Sequence, residues 1–489
     1  MTEKGLCHLR SVAVSISQGK SFSGAYRIVF IAGLTWTAYR MAGSPGWAFD
    51  DELAHFYVSR DAWAQPWLIL DYWGRPFQTL FFMPAALFGF GTARWCALAA
   101  SSLTVVIASL WAQKLGLRRL AFVPFCLWFQ PWFSDFAYTA NTMTPFALLL
   151  VLGAYWISID RTRAAALAFG LLPLARHEGL GLTLLLLAYL IYKRRYSSVL
   201  VAIMPMCVYT TAYYLYAGSI PLGALIHYDV QDVFVAPLNP SVGLWLYYLP
   251  AVVRGAGVPL LACGALSLIC IVRSPFQSGV PFVFYGAYLA VHVMIVRYGL
   301  FSGVRNDFYL VPLAPALGVA AALGFDTAFS ALRHWVARHG KPRLRHLPAV
   351  AVGVGAIAVL GVAVQAALHP FITSEIRVKR TEEKLAKRAA EWIKDHAGAG
   401  RPIYTTDVRI RYFLSETSPQ KARSLIYVSG ETPLEELPNG AIFVWDRHYS
   451  EAWGYHLKNL MSDTSVWRKL MECGESGEVY AIVFEQTKT

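Results

Sequence analysis

Three consecutive carboxylates, Asp50, Asp51 and Glu52, follow the first apolar segment of this chain. Like charges this close repel one another and resist transfer out of water, so they are costly beside a membrane. Such a group suits a general base that takes a proton from an incoming hydroxyl, or a set of oxygen ligands for a cation. Asp51 is the first candidate for the base, with Asp50 and Glu52 as orienting groups. A solvated loop charge is the structural alternative.

Asp135 lies in a second polar connection, and together with Asp51 it would supply carboxylates from two loops. This arrangement suits a base with an orienting partner, or one divalent cation. Glu178 and the loop histidine His227 complete the set of candidate metal ligands, although a loop histidine can equally be structural. Asp135 by itself can also be a helix cap or an exposed loop charge. The sequence therefore leaves a metal requirement open.

Four arginines near the same polar connections are candidates for binding a phosphate: Arg75, Arg176, Arg297 and Arg305. A planar guanidinium pairs with phosphate oxygens through two parallel hydrogen bonds. Arg176 lies in a short turn between two apolar segments, two residues before Glu178. In that position the two side chains can also simply neutralise each other.

The composition shows which elements must position these residues. Of 489 residues, 56% are hydrophobic and only 15% are charged, against about 25% charged in a typical soluble domain. Apolar runs long enough to cross a bilayer recur from Ile28 to Ala367, which predicts a polytopic α-helical membrane protein. The net charge of +13 comes from basic residues in short loops, a topology signal that removes the need for a nucleic-acid partner.

The loop charges favour about eleven crossings, with the N-terminus in the cytoplasm and the C-terminus outside. We expect one crossing from Leu120 to Phe133, an interfacial helix over Pro76–Gly91, and a last crossing from Val350 to Ala367. We expect the protein to lie in a bacterial inner membrane. The predicted topology brings the candidate residues to the outer face of that membrane. They are then placed to form one pocket at the membrane boundary.

Two domains are predicted: a membrane domain over residues 1–368 and a small extracytoplasmic α/β domain over residues 369–489. An amphipathic helix is expected over Thr381–Lys394. Short buried strands are expected at Pro402–Tyr404, Ser424–Val428, Ala441–Trp445 and Tyr480–Phe484.

The segment Phe49-Asp50-Asp51-Glu52-Leu53-Ala54-His55-Phe56-Tyr57-Val58-Ser59-Arg60 resembles the first outer loop of GT-C superfamily glycosyltransferases. Lipid A aminoarabinose transferases and protein O-mannosyltransferases are closest in pattern. Asp51 and Glu52 match the Asp-Glu motif of these families, and Asp50 replaces a frequent proline. Further similar segments are Trp73-Gly74-Arg75-Pro76 before an interfacial helix, Asp135 in the second outer loop, Arg176-His177-Glu178-Gly179 for an Arg-Pro-Glu-Gly turn, and Arg305-Asn306-Asp307-Phe308-Tyr309-Leu310-Val311-Pro312 for an Arg-Tyr-Leu-Leu-Pro segment.

The resemblance implies an inverting transferase that uses a polyprenyl-phosphate-linked sugar held among membrane lipids. The acceptor would be a hydroxyl on a lipid, glycan or protein. Asp51 would take the acceptor proton, while arginines, with or without a divalent cation, would stabilise the phosphate leaving group.

Three other readings use the same sequence. A transporter or flippase of a lipid-linked or small anionic substrate would place binding residues near the bilayer midplane, commonly on repeated halves. Here the midplane stretches are nearly free of ionisable groups, and no repeat is evident. A membrane scaffold would leave the carboxylate cluster unexplained. A transferase with a different donor would use the same residues.

Overall fold

The computed structural model describes residues 22–44, 50–71, 74–221, 248–273, 279–298, 307–339, 373–398, 400–418, 425–427, 433–447, 449–452, 454–475 and 478–487. The first part of the chain is helical. Its α-helices span Gly24–Gly43, Asp50–Asp61, Pro76–Ala86, Phe90–Lys114, Phe122–Trp128, Pro131–Phe136, Met143–Ser158, Thr162–Ala175, Gly179–Tyr192, Tyr196–Ala217, Leu249–Ala256, Val258–Arg273, Val280–Tyr298 and Ala314–His339. Two 3₁₀ segments, Pro66–Ile69 and Asp307–Leu313, lie between them.

Within the described ranges, three helical stretches are long and apolar enough to cross a membrane: Phe90–Lys114, Tyr196–Ala217 and Phe308–Ala331. The helices Leu249–Ala256 and Val258–Ser267 pass the same test together but are bent by 100°. Four shorter helices are also apolar: Met143–Ser158, Thr162–Ala175, Gly179–Tyr192 and Val280–Ile295. The chain is thus an integral membrane protein. The number of about eleven crossings stays a prediction, and Val350–Ala367 lies outside the described residues.

The stretch predicted as one crossing from Leu120 to Phe133 is divided into the helices Phe122–Trp128 and Pro131–Phe136. Proline has no backbone N–H and favours the first position of a helix. Pro131 therefore starts a new helix after Gln130, whose backbone is extended. The helix Pro76–Ala86 has 11 residues and is about 16 Å long. That is about half of the hydrocarbon thickness, which favours the predicted interfacial position.

The C-terminal part contains a five-stranded sheet, and four of its strands overlap the four that were predicted. Its strands are β1 (Ile403–Thr405), β2 (Leu425–Tyr427), β3 (Ile442–Asp446), β4 (Trp467–Glu475) and β5 (Glu478–Gln486), in the order β2-β1-β3-β5-β4. β1 is parallel to β2 and β3, whereas β5 is antiparallel to β3 and β4. The helices Thr373–His396 and Val408–Thr417 and the short helices Tyr449–Ala452 and Leu457–Ser462 complete this part.

The two parts meet at the helix Asp50–Asp61. Val408 and Tyr412, from the first helix after β1, join a buried cluster with Leu53, Phe56 and Phe90. Burying a large apolar side chain stabilises a protein by about 1.5–3 kcal/mol. The cluster therefore fixes the sheet domain to the helix that carries the Asp-Asp-Glu motif.

Candidate active site

The helix Asp50–Asp61 carries the candidate base and touches the rest of the protein on three sides. Because successive residues are rotated by about 100°, residues 51, 55 and 58 share one face. Residues 52, 56 and 59 share a second face, and residues 53, 57 and 61 lie on a third. The first face packs closely on the segment before the Pro76–Ala86 helix, because a Cβ on Gly74 would lie 2.8 Å from Val58 Cγ1.

The carboxylates of the motif have different surroundings. The Asp51 side chain is exposed. Glu52 is fully buried, and its Oε1 accepts a 2.7 Å hydrogen bond from the backbone N–H of Ala140. Glu52 therefore anchors the connection that follows Asp135. The side chain of Asp50 lies outside the described residues.

Arg176 is the centre of a buried polar network. Its guanidinium donates to Thr142 Oγ1 at 2.7 Å and to Glu178 Oε1 at 2.5 Å. It also lies over the ring of Tyr309, 4.8 Å from the centroid. Although burial favours the neutral acid, the adjacent Arg176 charge holds the pKa of Glu178 well below its usual value. Arg176 and Glu178 thus form a buried ion pair at the turn.

His292, from the Val280–Tyr298 helix, extends this network. Its Nδ1 lies 3.0 Å from the carbonyl oxygen of Tyr288, and a carbonyl only accepts, so Nδ1 carries a proton. Its Nε2 lies 3.4 Å from Glu178 Oε1. The Tyr288 hydroxyl in turn donates to the carbonyl oxygen of Tyr309 at 2.6 Å. The network therefore connects the turn with the segment that contains Tyr309.

Arg75 and two neutral histidines form the next part of the site. The Arg75 guanidinium contacts the His177 ring, with 2.9 Å between Arg75 Nη1 and His177 Nδ1. Burial, and then the Arg75 charge, lower the pKa of His177 to about 2. Burial, and then the charges of Arg75 and Arg176, lower the pKa of His55 to about 3. Both rings stay neutral at physiological pH, so a ring nitrogen of His177 can accept a hydrogen bond from Arg75.

A small open pocket lies beside this group. It is lined by Arg75, Pro76, Pro173, Leu174, His177, Met206 and Tyr209. Its far wall is the helix Tyr196–Ala217, a candidate membrane span with exposed apolar side chains such as Leu200 and Leu215. The pocket thus combines a cation with a wall from a candidate membrane span.

The backbone of Arg75 has φ +60°, a left-handed value that residues other than glycine rarely adopt. Such strained residues persist where the surrounding structure holds them, and they are common at functional sites. Arg75 also precedes the Pro76–Ala86 helix, whose proline fixes the start of that helix. The chain geometry therefore positions this guanidinium on the pocket.

The predicted residues fall into two groups. The Tyr309 side chain lies within electrostatic range of Asp51, Arg176, Glu178 and Arg75. Asp135 instead belongs to a group around Tyr138, with Arg40, Arg94 and Glu52. The structure thus brings four of the predicted residues together around one tyrosine and places Asp135 in the other group.

Asp135 is buried in an ion pair with Arg40, which also donates to Ser134 Oγ at 2.5 Å. The Arg40 charge lies in the last turn of the Gly24–Gly43 helix. This contact fixes the first long helix against the short helix Pro131–Phe136. Three other predicted residues, His227, Arg305 and the side chain of Arg297, lie outside the described residues.

Among the residues that the structure describes, no three or more His, Cys, Asp or Glu side chains are grouped to hold a metal ion. Two of the predicted ligands, Asp135 and Glu178, are each paired with an arginine. The described side chains therefore do not fit a closed metal site. A divalent cation stays a prediction, and no step below depends on one.

Sequence reasoning did not single out His55, Arg40, Thr142, His292 or Tyr309. His292 had a usable signal, since a histidine inside an apolar helix is costly in a membrane and commonly functional. Arg40 also had one, because it lies at the end of the first apolar segment. Thr142 and Tyr309 carry no charge, so the pattern of ionisable residues could not reveal them.

The fold is similar to two crystal structures of ArnT from Cupriavidus metallidurans, one bound to undecaprenyl phosphate and one in the apo state. The TM-scores are 0.55 and 0.56, at 17% sequence identity, and each alignment covers 99% of this chain and 98% of the ArnT chain. This chain therefore has an ArnT-like fold. No family model matches the chain, and no curated protein is significantly similar to it.

Proposed function

We propose that this protein is an inverting GT-C glycosyltransferase that moves a sugar from a polyprenyl-phosphate carrier to an acceptor hydroxyl. The main observation in support is the position of exposed Asp51 within electrostatic range of the same tyrosine as half-buried Arg75 and buried Arg176. The Tyr309 side chain contacts Arg176 and lies within electrostatic range of Asp51 and Arg75. The full-length similarity to ArnT, one structure of which is bound to undecaprenyl phosphate, supports the lipid-linked donor.

Asp51 is the proposed general base. A carboxylate open to solvent can reach an acceptor hydroxyl, whereas Glu52 is buried and engaged with Ala140. The acceptor oxygen attacks the anomeric carbon, the bond from that carbon to the phosphate oxygen breaks, and Asp51 takes the hydroxyl proton. The configuration at the anomeric carbon is inverted, and the polyprenyl phosphate leaves with the electron pair of the broken bond.

Arg75 is the proposed main contact of the donor phosphate. It lines the open pocket, and the pocket wall from the Tyr196–Ala217 helix offers an apolar path for the polyprenyl chain. A fixed guanidinium stabilises the negative charge that develops on the leaving phosphate. Arg176 adds its charge from behind Tyr309 and is held by Glu178 and Thr142.

The reaction is proposed to occur at the outer face of a bacterial inner membrane, with the sheet domain outside. The acceptor is a hydroxyl on a lipid, a glycan or a protein. Mass spectrometry of envelope glycolipids and glycoproteins, from cells with and without the gene, tests the proposal. We expect one sugar-modified species to disappear with the gene and to return with the wild-type protein but not with Asp51→Asn. Identical envelope profiles would contradict it.

A further inference from the structure

One arginine of the sheet domain clamps the helix that carries Asp51. Arg411 Nη1 lies 2.8 Å from Asp61 Oδ2, and Arg411 Nη2 lies 3.1 Å from Asp61 Oδ1. Two parallel contacts of this kind fix the relative orientation of the two groups as well as their separation. The same guanidinium lies over the Tyr57 ring, 4.3 Å from its centroid. Tyr57 and Asp61 are four residues apart, so one arginine engages one face of the helix.

The clamp is partly shielded from water. The side chains of Arg411 and Asp61 are 18% and 27% exposed, so the pair is less screened than a fully exposed one. Beside it, the Tyr412 ring packs edge-on against Phe90 at 5.9 Å. Polar and apolar contacts therefore hold the helix at the same junction.

The Val408–Thr417 helix that carries Arg411 is itself fixed to the sheet domain. Its N-cap, Asp407, accepts from the backbone N–H of Arg409 at 2.8 Å and from the Tyr480 hydroxyl at 3.0 Å. The buried Arg409 side chain pairs with Asp407 and, at 2.8 Å, with Glu382 of the Thr373–His396 helix. Arg411 is thus carried by a helix that is fixed to the sheet domain.

We propose that Arg411 is a positioning residue, and that the sheet domain sets the orientation of the Asp50–Asp61 helix and thereby of the base Asp51. The face held by Arg411 carries Tyr57 and Asp61. The face that carries Asp51 and His55 is turned by about 120° around the helix axis, and its His55 lies within electrostatic range of Arg75 and Arg176. Rotation of the helix would displace Asp51 from the reacting hydroxyl. The catalytic part of this inference rests on the proposed function.

The test uses three purified full-length variants. Two are the single variants Arg411→Ala and Arg411→Lys, and the third is a double variant that exchanges the two charges by combining Arg411→Asp and Asp61→Arg. Arg447→Ala is the matched control, because Arg447 forms an exposed ion pair with Glu478 in the same domain. We expect kcat to fall about 10- to 100-fold in Arg411→Ala, because small displacements of reacting groups are costly. The KM for the lipid donor should change less than about twofold. Lysine should restore part of the rate, and the charge exchange should restore part of it as well.

Hydrogen exchange of peptides from residues 50–61 gives a second readout that needs no substrate. Exchange there should rise in Arg411→Ala and not in Arg447→Ala, while residues 143–158 stay unchanged in both. If wild-type protein transfers no sugar but exchange responds in this way, the proposed function fails and the clamp stands. Unchanged exchange in Arg411→Ala, or a donor KM that rises in step with the loss of kcat, would overturn the positioning role. A double charge-exchange variant that restores neither the slow hydrogen exchange of residues 50–61 nor kcat would also overturn it.

Discussion

The carboxylate of Glu52 accepts a 2.7 Å hydrogen bond from the backbone N–H of Ala140, whereas the adjacent Asp51 is exposed. Two neighbouring acids of one motif thus have different surroundings. Consecutive residues of a helix point in directions about 100° apart, so one side chain can anchor a loop while the next is exposed to solvent. This division makes the two residues separable by mutation.

We expect Glu52→Ala to destabilise the protein by roughly 1–3 kcal/mol, because the buried N–H of Ala140 loses its acceptor. Glu52→Gln keeps an oxygen acceptor and should unfold near the wild-type temperature. Thermal unfolding of the purified proteins in detergent measures both effects. An alanine variant as stable as wild type would show that this hydrogen bond does not hold the loop.

Arg75→Ala should weaken donor use without unfolding the protein. Arg75 is half-buried on an open pocket, so its loss removes the proposed phosphate contact. We expect the KM for the lipid donor to rise about tenfold or more, the equivalent of about 1.4 kcal/mol. Arg163→Ala, which alters an exposed arginine beside Ser197, is the control. An unchanged KM in Arg75→Ala would remove Arg75 from the donor site.

Arg176→Ala should act on stability as well as on the donor. Removing one partner of a buried ion pair typically costs about 3–5 kcal/mol, and here Glu178 would stay buried beside His292. Arg176→Ala with Glu178→Ala should be more stable than Arg176→Ala alone. Urea unfolding of the single and double variants measures the difference. A double variant no more stable than the single one would contradict the ion-pair account.

The sheet domain should be stabilised by moderate acid. Burial, and then the nearby Asp407 charge, raise the pKa of Asp446 to about 6, against about 4 for an unfolded chain. A carboxyl group whose pKa is raised by folding stabilises the folded state while the carboxyl is protonated. The contribution of Asp446 to the free energy of unfolding is therefore complete below about pH 4 and is lost as the pH rises through 6. We expect unfolding of this domain to require more urea at pH 5 than at pH 7.

Asp446→Asn should flatten that pH dependence, because the amide does not titrate. Hydrogen exchange of β3 peptides in a urea series, corrected for the intrinsic rate at each pH, provides the measurement. Arg447→Ala is again a suitable control in the same domain. A slope between pH 5 and 7 that is equal in wild type and Asp446→Asn would refute the role of Asp446.

The sequence predicted those features of the fold that depend on local patterns. Apolar runs predicted that the first part of the chain is helical, and the buried strands around Ile403, Ile442 and Ile482 were found because they are short and continuously apolar. β4 was missed because its exposed positions carry charges, such as Arg468 and Glu472, as expected of an edge strand.

The contacts that build the site were less accessible, because they join distant parts of the chain. Asp61 and Arg411 are 350 positions apart, and the Arg40–Asp135 pair joins two helices that no local pattern connects. The pairing of Arg176 with Glu178 was foreseen as the alternative to phosphate binding, since the two residues share a turn. The exposure of Asp51 beside buried Glu52 was not foreseen, because the two adjacent acids have similar polarity and a sequence pattern does not distinguish them.

The central claim is that Asp51 takes the acceptor proton, and sugar transfer by Asp51→Asn from a purified lipid-linked donor tests it most directly. Asparagine keeps the size of the side chain but cannot accept the proton. Asp160→Asn, in an exposed ion pair with Arg195, is the control. We predict a loss of turnover of about 100-fold or more, with donor binding and unfolding temperature unchanged. Turnover by Asp51→Asn at the wild-type rate would contradict the account.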